Sequence, residues 1–423
     1  MLKQLKYKLY FIVAGYFRFF AAIQLNRWKP QIIVVTGSSG KTTLLHLIES
    51  QLKDRARYSH HANSSFGIPF DILGLKRQTL QKGEWVYLFL VAPFKAFKKP
   101  FAEKLYIVEA DCDRPGEGTF LASLLKPEVC LWLSSSGTHS VNFDELVEEK
   151  KFTDVEAAIA YEFGYFLEHT SKLAIINGDN QLIENQTKRS SATIKRITKV
   201  ELSGYKVFEN KTEFGIDQHL YTINFLLPEE VFYSLAAVLE LLKFLGIDVD
   251  LLFKDFVLPP GRSSVFKGVN GITIVDSSYN ATLDGLSAML NTFSLYPAKI
   301  KWAVIGDMLE QGKSEAESHQ RLAELLAQAG LDKIILMGPR VCKYTYPKFK
   351  NLVADDGRVE KFEMPKQALD YILANAKSGE IILFKGARFL EGVVEHLLLD
   401  KNDVNKLCRR EKVWEFRRKQ WGL

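Results

Sequence analysis

Residues 32–52 read IIVVTGSSGKTTLLHLIESQL. A short apolar run meets a Gly- and Ser-rich turn. Lys41, Thr42 and Thr43 follow, and then apolar residues at helical spacing. A buried strand that turns through glycines into a helix aims backbone N–H groups and the positive end of the helix dipole at one point, which suits a phosphate. The glycines let the backbone come close, the lysine neutralises charge, and the hydroxyl after it suits Mg²⁺. Gly37, Ser38, Ser39, Gly40, Lys41, Thr42 and Thr43 supply these parts, and the strand and helix on either side give the right setting. The match to G-x-x-x-x-G-K-[ST] is incomplete, because Val35 stands where the first glycine would be. A merely structural turn is the alternative.

The rest of the chain repeats this strand–helix alternation. Short apolar runs at 32–35, 105–109, 129–133 and 173–177 have the character of strands buried in a parallel sheet. A helix over 231–245 precedes Leu258-Pro259-Pro260-Gly261, where a Pro/Gly break marks a domain boundary. Strands at 272–275, 302–305, 333–337 and 380–384 then alternate with helices at 282–292, 319–329 and 388–398. The expected fold is α/β: a central P-loop ATPase domain with a mostly parallel sheet over 31–257, and a smaller Rossmann-like α/β domain over 258–423. Residues 1–30 form a separate basic, aromatic helical segment.

Composition narrows the class. The 423 residues are 47% hydrophobic and 25% charged with a net charge of +6, as in a folded soluble protein. Cys112, Cys130, Cys342 and Cys408 show no CxxC spacing, and the eight histidines show no HExxH. Neither a zinc knuckle nor a disulfide framework is signalled, and a reducing cytoplasm fits best. No small-residue cleavage site follows the apolar start, and no internal repeat is visible.

The loop TGSSGKTT resembles that of the Mur ligases, the ATP-dependent amide-bond-forming enzymes of peptidoglycan assembly. Other segments match that family in order over about 390 residues: NSSFGIP (63–69), IVEADCDRPGE (107–117), Gly137-Thr138-His139 with Phe143, and NGDN (177–180). In the C-terminal half, Gly261-Arg262, DSSYNATLDG (276–285), IGDMLEQG (305–312) with His319, and KGAR (385–388) resemble the D-alanyl-D-alanine-adding branch.

The resemblance implies ATP and Mg²⁺, and a carboxylate activated as an acyl phosphate before an amine displaces the phosphate. Such chemistry needs cations and positioning more than a protein nucleophile. It implies that Lys41 holds the β/γ-phosphates, that Thr42 ligates one Mg²⁺, and that Glu109 and His139 hold a second metal at the carboxyl edge of the sheet. Arg262 and Asn280 would contact nucleotide. Asn63, Asp307, His319, Lys385 and Arg388 would serve the substrates. Plain readings compete. A strand-end glutamate is usually a solvated loop residue, a lone histidine is usually structural, Asp307 suits a helix cap, and His319 suits a surface position.

The chain departs from the family pattern in three places. Phe163, in VEAAIAYEFGYF (155–166), stands where the family has a lysine carboxylated by CO₂; Lys150 or Lys151 is offered by spacing instead, in poorer surroundings. Pro228-Glu229-Glu230-Val231-Phe232-Tyr233-Ser234 replaces Gly-x-His-Asn-x-x-Asn. Only 30 residues precede the first strand, which leaves no room for a UDP-sugar-gripping domain. The leading expectation is a carboxylate–amine ligase of peptidoglycan peptide synthesis. The alternative is a degenerate, non-catalytic ATP-binding protein at the envelope.

Expected partners are small-molecule or peptide-precursor substrates and an anionic membrane surface reached through residues 1–30. Nucleic acid is not an expected partner, and the chain is expected to be a cytoplasmic monomer, peripheral on the inner face of the membrane. Only Arg18 is charged within 9–26. The segment therefore suits an interfacial helix, a helix packed on the protein, or a span strained by that arginine. The stretch 406–423 has the same composition, with seven Lys/Arg among Trp414, Phe416 and Trp421.

Overall fold

The computed structural model describes residues 2–60, 62–77, 83–137, 140–353, 357–387 and 389–423, with side chains from Tyr7 onward in the first helix. Contacts divide the chain into two units, 1–199 with 233–250, and 200–232 with 251–423.

The first unit is built on α1 (Leu2–Trp28), β1 (Gln31–Thr36), α2 (Lys41–Leu52), β2 (Ala56–Tyr58), α3 (Gly67–Leu73), α4 (Glu84–Ala96) and β3 (Leu105–Glu109). It continues through α5 (Glu117–Leu125), β4 (Val129–Trp132), α6 (Asp144–Glu148), α7 (Val155–Glu168), β5 (Leu173–Asn177), α8 (Gln181–Glu184), β6 (Thr193–Ile197) and most of α9 (Val231–Leu245). The strands pair in parallel in the order β2-β3-β1-β4-β5-β6. The residues of the four inner strands β3, β1, β4 and β5 are mostly apolar on both faces because helices cover both. From β1 the chain builds β2 and β3 on one side, then crosses to β4 on the other. The carboxyl ends of β1, β3 and β4 therefore flank a switch in direction, where open α/β sheets place ligands. Register fixes what lies there: Val35 pairs with Glu109, and Thr36 with Trp132.

Helix α1 is packed on this unit by one face. Ala14, Phe17, Ala21, Leu25 and Trp28 recur at helical spacing and are buried. Phe17 meets Phe70 and Phe89, and Trp28 donates its indole N–H to Glu103 O at 2.7 Å. Burial of each such ring contributes about 1.5–3 kcal/mol. Arg18 is satisfied by the protein: Nε donates to Phe120 O at 3.1 Å and Nη2 to Ser123 Oγ at 2.9 Å. The stretch Tyr7–Trp28 is long and apolar enough to cross a membrane by length and composition. Its buried stripe nevertheless belongs to the protein core.

The second unit holds a three-stranded antiparallel sheet, β7 (Leu202–Val207), β8 (Thr212–Ile216) and β9 (His219–Ile223). Its larger sheet comprises β10 (Ser264–Lys267), β11 (Thr273–Ser277), β12 (Ile300–Gly306), β13 (Lys333–Met337), β14 (Val359–Phe362) and β15 (Glu380–Lys385). They lie in the order β10-β11-β15-β12-β13-β14, parallel except for the β10 edge. Helices α10 (Leu283–Leu295), α11 (Glu315–Gln328), α12 (Tyr346–Leu352), α13 (Pro365–Asn375) and α14 (Leu390–Leu397) accompany it, and α15 (Lys412–Gln420) closes the chain. The basic C-terminal stretch is packed within this unit. Arg418 is buried and faces Glu391 and Glu395, and Trp421 stacks on Phe389 with ring centroids 5.4 Å apart.

Candidate active site

The phosphate loop joins β1 to α2 as its sequence implies. Gly37 has φ 126° and Gly40 φ 77°, both in the region that favours glycine. A Cβ on Gly37 would lie 2.6 Å from Ser134 O. The loop is clasped to the segment after β4. Ser38 N and Ser39 N donate to Ser134 O (3.0 Å) and Ser134 Oγ (2.8 Å), and Ser38 Oγ exchanges hydrogen bonds with the Ser136 backbone. Thr42 and Thr43 follow in the first turn of α2, Thr42 half-buried and Thr43 buried.

Lys41 is the first helical residue and is buried. Its ammonium lies 2.8 Å from Asp111 Oδ2 and donates to Gly37 O at 2.5 Å. Burial alone would lower its pKa. The Asp111 and Glu109 carboxylates outweigh that, and the group is held above the ordinary lysine range. Glu109 ends β3, is buried, and accepts from Asn63 Nδ2 at 3.5 Å; its backbone N–H donates to Ser59 Oγ. Asp111 was not singled out from the sequence. Its signal was available, since residues two apart on an extended segment share a side and Glu109 and Asp111 both leave the end of β3. His139 and its neighbour Thr138 lie outside the described residues, as does Arg388.

The helix that resembles the carboxylated-lysine segment is α7. Phe163 is fully buried there, its ring centroid 6.0 Å from that of Trp132. Beside it, Glu162 accepts from Gly116 N and Gly118 N at 2.9 and 3.0 Å, and burial raises its pKa. Lys151 is exposed and pairs with Glu149. Where the His-Asn motif is replaced, Tyr233 supplies a different polar contact: its hydroxyl donates to Asp179 Oδ2 at 2.7 Å.

In the second unit, Arg262, Asn280 and Lys385 gather at the carboxyl ends of β11 and β15. Lys385 is buried, with Nζ donating to Asn280 O at 3.1 Å and to Ser277 Oγ at 3.4 Å. Burial and the Arg262 guanidinium push its pKa down to about 8, against the pull of Asp276. The Arg262 guanidinium sits over the Tyr279 ring at 4.7 Å. Asn280 is exposed and caps its neighbour, Oδ1 accepting from Ala281 N.

Asp307 and His319 lie together and serve the backbone. Asp307 is buried, and its Oδ1 accepts from Arg340 N and Val341 N, both at 3.0 Å. It caps the turn that starts there, as the plain sequence reading allowed. His319 is fully buried rather than on the surface. Its Nε2 accepts from Met308 N at 3.2 Å while Nδ1 donates to Glu315 O at 2.7 Å, which assigns the neutral Nδ1–H tautomer. Burial lowers its pKa, in keeping with that state.

A phosphate loop on a parallel sheet, with a buried lysine between two strand-end carboxylates, defines a P-loop nucleotide-binding α/β protein carrying a second α/β unit. Residues 261–388 match the family model "Mur ligase, glutamate ligase domain", so the second unit contains a Mur ligase C-terminal domain. Among curated relatives, the UDP-N-acetylmuramoyl-tripeptide–D-alanyl-D-alanine ligase of Rickettsia prowazekii is 26% identical over 67% of this chain, which spans 63% of that protein. The protein of the same name from Bacillus subtilis is 24% identical over 89% of this chain and 78% of its own length. In fold, the chain is similar to the crystal structure of MurF ligase from Thermotoga maritima in complex with ADP, with a TM-score of 0.73 at 22% identity, covering 93% of this chain and 84% of that one. MurF from Acinetobacter baumannii gives 0.71 at 18% identity, covering 89% and 79%. The expected α/β architecture, with a P-loop ATPase-type central domain and a C-terminal sheet domain, is the one observed.

Proposed function

We propose that this chain is an ATP- and Mg²⁺-dependent carboxylate–amine ligase of Mur type that acts in peptidoglycan peptide synthesis. The observation that carries this reading is the buried Lys41 set between Gly37 O, Asp111 and Glu109 at the carboxyl edge of the parallel sheet. The donor set fits a magnesium nucleotide: the hydroxyl of Thr42 and the carboxylates of Glu109 and Asp111 are hard oxygen ligands, and the glycine loop admits phosphate. Bound ATP supplies the phosphoryl group that turns a substrate carboxylate into an acyl phosphate, which an amine then attacks.

The chain's own groups orient and neutralise. Lys41 would exchange its Asp111 contact for phosphoryl oxygens. Asp111, once released, and Glu109 are available to metal, with His139 as the further ligand that the resemblance implies. Asn63, through Glu109, sets that carboxylate's orientation. Arg262, Asn280, Lys385 and Arg388 offer positive and polar groups to nucleotide or substrate anions. Asp307 and His319 shape the loop after β12 on which a substrate would rest. Phe163 offers no carbamate, so the Glu109 and Asp111 carboxylates would be the anionic groups that hold Mg²⁺. The same reading places the chain in the cytoplasm as a monomer, with residues 1–30 at the anionic inner face of the membrane.

The test is ATP-dependent phosphate release by the full chain, screened over pairs of muramyl-peptide carboxylates and amino-acid or dipeptide amines. Release that requires one carboxylate and one amine, with a new amide in the product, is expected. Release without dependence on either, or none with any pair, would sink the ligase reading.

A further inference from the structure

Exposed large apolar side chains are ordinary when scattered and informative when contiguous. Helices α1 and α4 lie flank to flank. The Tyr16 hydroxyl donates to Phe89 O at 2.7 Å, the two rings are 5.0 Å apart, and Arg27 Nη1 donates to Ala96 O and Lys98 O. Each helix buries one face in the core of the first unit and turns an apolar stripe outward. On α1 the outward stripe includes Ile12 and Phe19, 68% and 62% exposed. On α4 it is Val86, Leu90, Phe94 and, just past the helix end, Phe97, all between 63% and 76% exposed. These four recur at intervals of four, four and three residues, so they lie on one face of the helix and form a contiguous exposed stripe. A helix of a water-exposed surface would carry charge there.

Cations surround the stripes. Lys8 and Lys29 are exposed at the two ends of α1, and Lys98 and Lys99 follow α4. The neighbouring Lys98 ammonium holds Lys95 below the ordinary lysine range, a sign that like charges crowd at this end. The first acidic residue of the chain is Glu49, and Glu84, at the start of α4, is turned toward Arg77. A second copy of this chain would set one cationic rim against another. An apolar centre with a cationic border and aromatic side chains is complementary to an anionic bilayer, whose headgroups take the cations while Phe and Leu dip below them.

We infer that α1 and α4 together form a bilayer-docking surface, with α4 contributing the deeper apolar insertion. This deepens the membrane placement of residues 1–30 and rests on it, but it assigns the contact to a second helix that the sequence did not suggest. The buried stripe of α1 stays in the protein core, so the chain lies on the membrane and does not cross it.

The experiment is flotation of the full chain with vesicles of 70% phosphatidylcholine and 30% phosphatidylglycerol, and with pure phosphatidylcholine. Three variants are compared: Leu90→Glu/Phe94→Glu, Lys98→Glu/Lys99→Glu, and Ile12→Glu/Phe19→Glu. All change exposed side chains, and a thermal melt without vesicles checks that each remains folded. The wild type should float with the anionic vesicles at low salt, and each pair should reduce partitioning by at least about tenfold. If only the α1 pair weakens binding, the N-terminal helix anchors alone and the α4 assignment is overturned. Failure of the wild type to float overturns both. A wild type that fails to float but self-associates, and that Leu90→Glu/Phe94→Glu makes monomeric, would show a protein interface instead. None of these readouts depends on amide synthesis, so the ligase reading stands or falls separately.

Discussion

Replacing Lys41 tests the site, but the structure shows that the substitution is not a clean loss of charge. Lys41 is buried, and its partner Asp111 is also buried. At 2.8 Å the gross attraction is roughly 6 kcal/mol at an effective dielectric of about 20. Much of that is offset by desolvating both ions. Truncating one partner leaves the other charge stranded, which typically costs about 3–5 kcal/mol. Lys41→Met keeps the apolar stem and should lower the stability of the first unit by about 3 kcal/mol. At about 2–4 °C per kcal/mol for a unit of this size, the melting temperature falls by roughly 6–12 °C. Lys41→Met/Asp111→Asn removes both charges and should recover most of the loss. Neither variant should turn over ATP, because the phosphate loop loses its own cation at Lys41. Calorimetric melts and phosphate release, run in parallel, separate the two effects. A double variant as unstable as the single one would refute the ion-pair argument. Wild-type turnover in either variant would refute the phosphate-loop role.

Three further outcomes follow from the geometry. Gly37→Ala forces a Cβ against Ser134 O at φ 126° and should abolish nucleotide binding, measured by titration with labelled ATP, while the second unit melts unchanged. His319→Ala leaves the buried Met308 N–H without its acceptor and should cost at least about 1–3 kcal/mol in a thermal melt of the second unit, with nucleotide affinity at Lys41 retained. Burial raises the Asp276 pKa to about 6 from 3.8, despite hydrogen bonds from Ser278. Its contribution to stability is therefore full below about pH 4 and is lost as the pH rises through 6, by about 3 kcal/mol. Denaturation of the wild type and of Asp276→Asn between pH 4 and 8 should show that difference disappearing in the variant.

Most of the α/β frame was legible because its strands are buried on both faces. The runs at 32–35, 105–109, 129–133 and 173–177 all form strands, as do the four in the second half. Three-residue β2 and the half-exposed β6 carry no such run, and edge strands need less apolar sequence. The β7–β9 sheet is a run of short hairpins whose outer strands β7 and β9 are partly solvent-facing, so they carry no continuous apolar run for a local reading to find. Helix α4 went unread for a different reason. WVYLFLVAPFKAF is apolar around its whole circumference, so no periodicity separates a buried face from an exposed one. Only the packing of Leu88, Ala92 and Ala96 inward reveals that Leu90 and Phe94 face outward.

The candidate site divides in the same way. Gly37, Gly40 and Lys41 could be placed at a phosphate loop because the strand–turn–helix chemistry is local, whereas Glu109 was pointed to only by the family resemblance. The contacts that set their electrostatics, Asp111 on Lys41 and Ser134 on the loop, come from β3 and from the segment after β4, which only sheet order brings together. Asp307 and His319 were singled out by residue type and resemblance for a substrate site. Both carry catalytic chemistry in principle, yet here each makes hydrogen bonds with the backbone of its own unit. A buried polar side chain must find partners, and where the backbone offers unpaired N–H groups it takes them first. The same rule explains α1. Its central arginine made a span costly, and the structure resolves that cost by giving the guanidinium a carbonyl and a hydroxyl on α5. With that polar group satisfied internally, the middle of α1 turns Ile12 and Phe19 outward without an exposed charge between them, and its exposed polar residues Lys8, Asn26 and Arg27 are left to the two ends, which suits the helix to a bilayer surface.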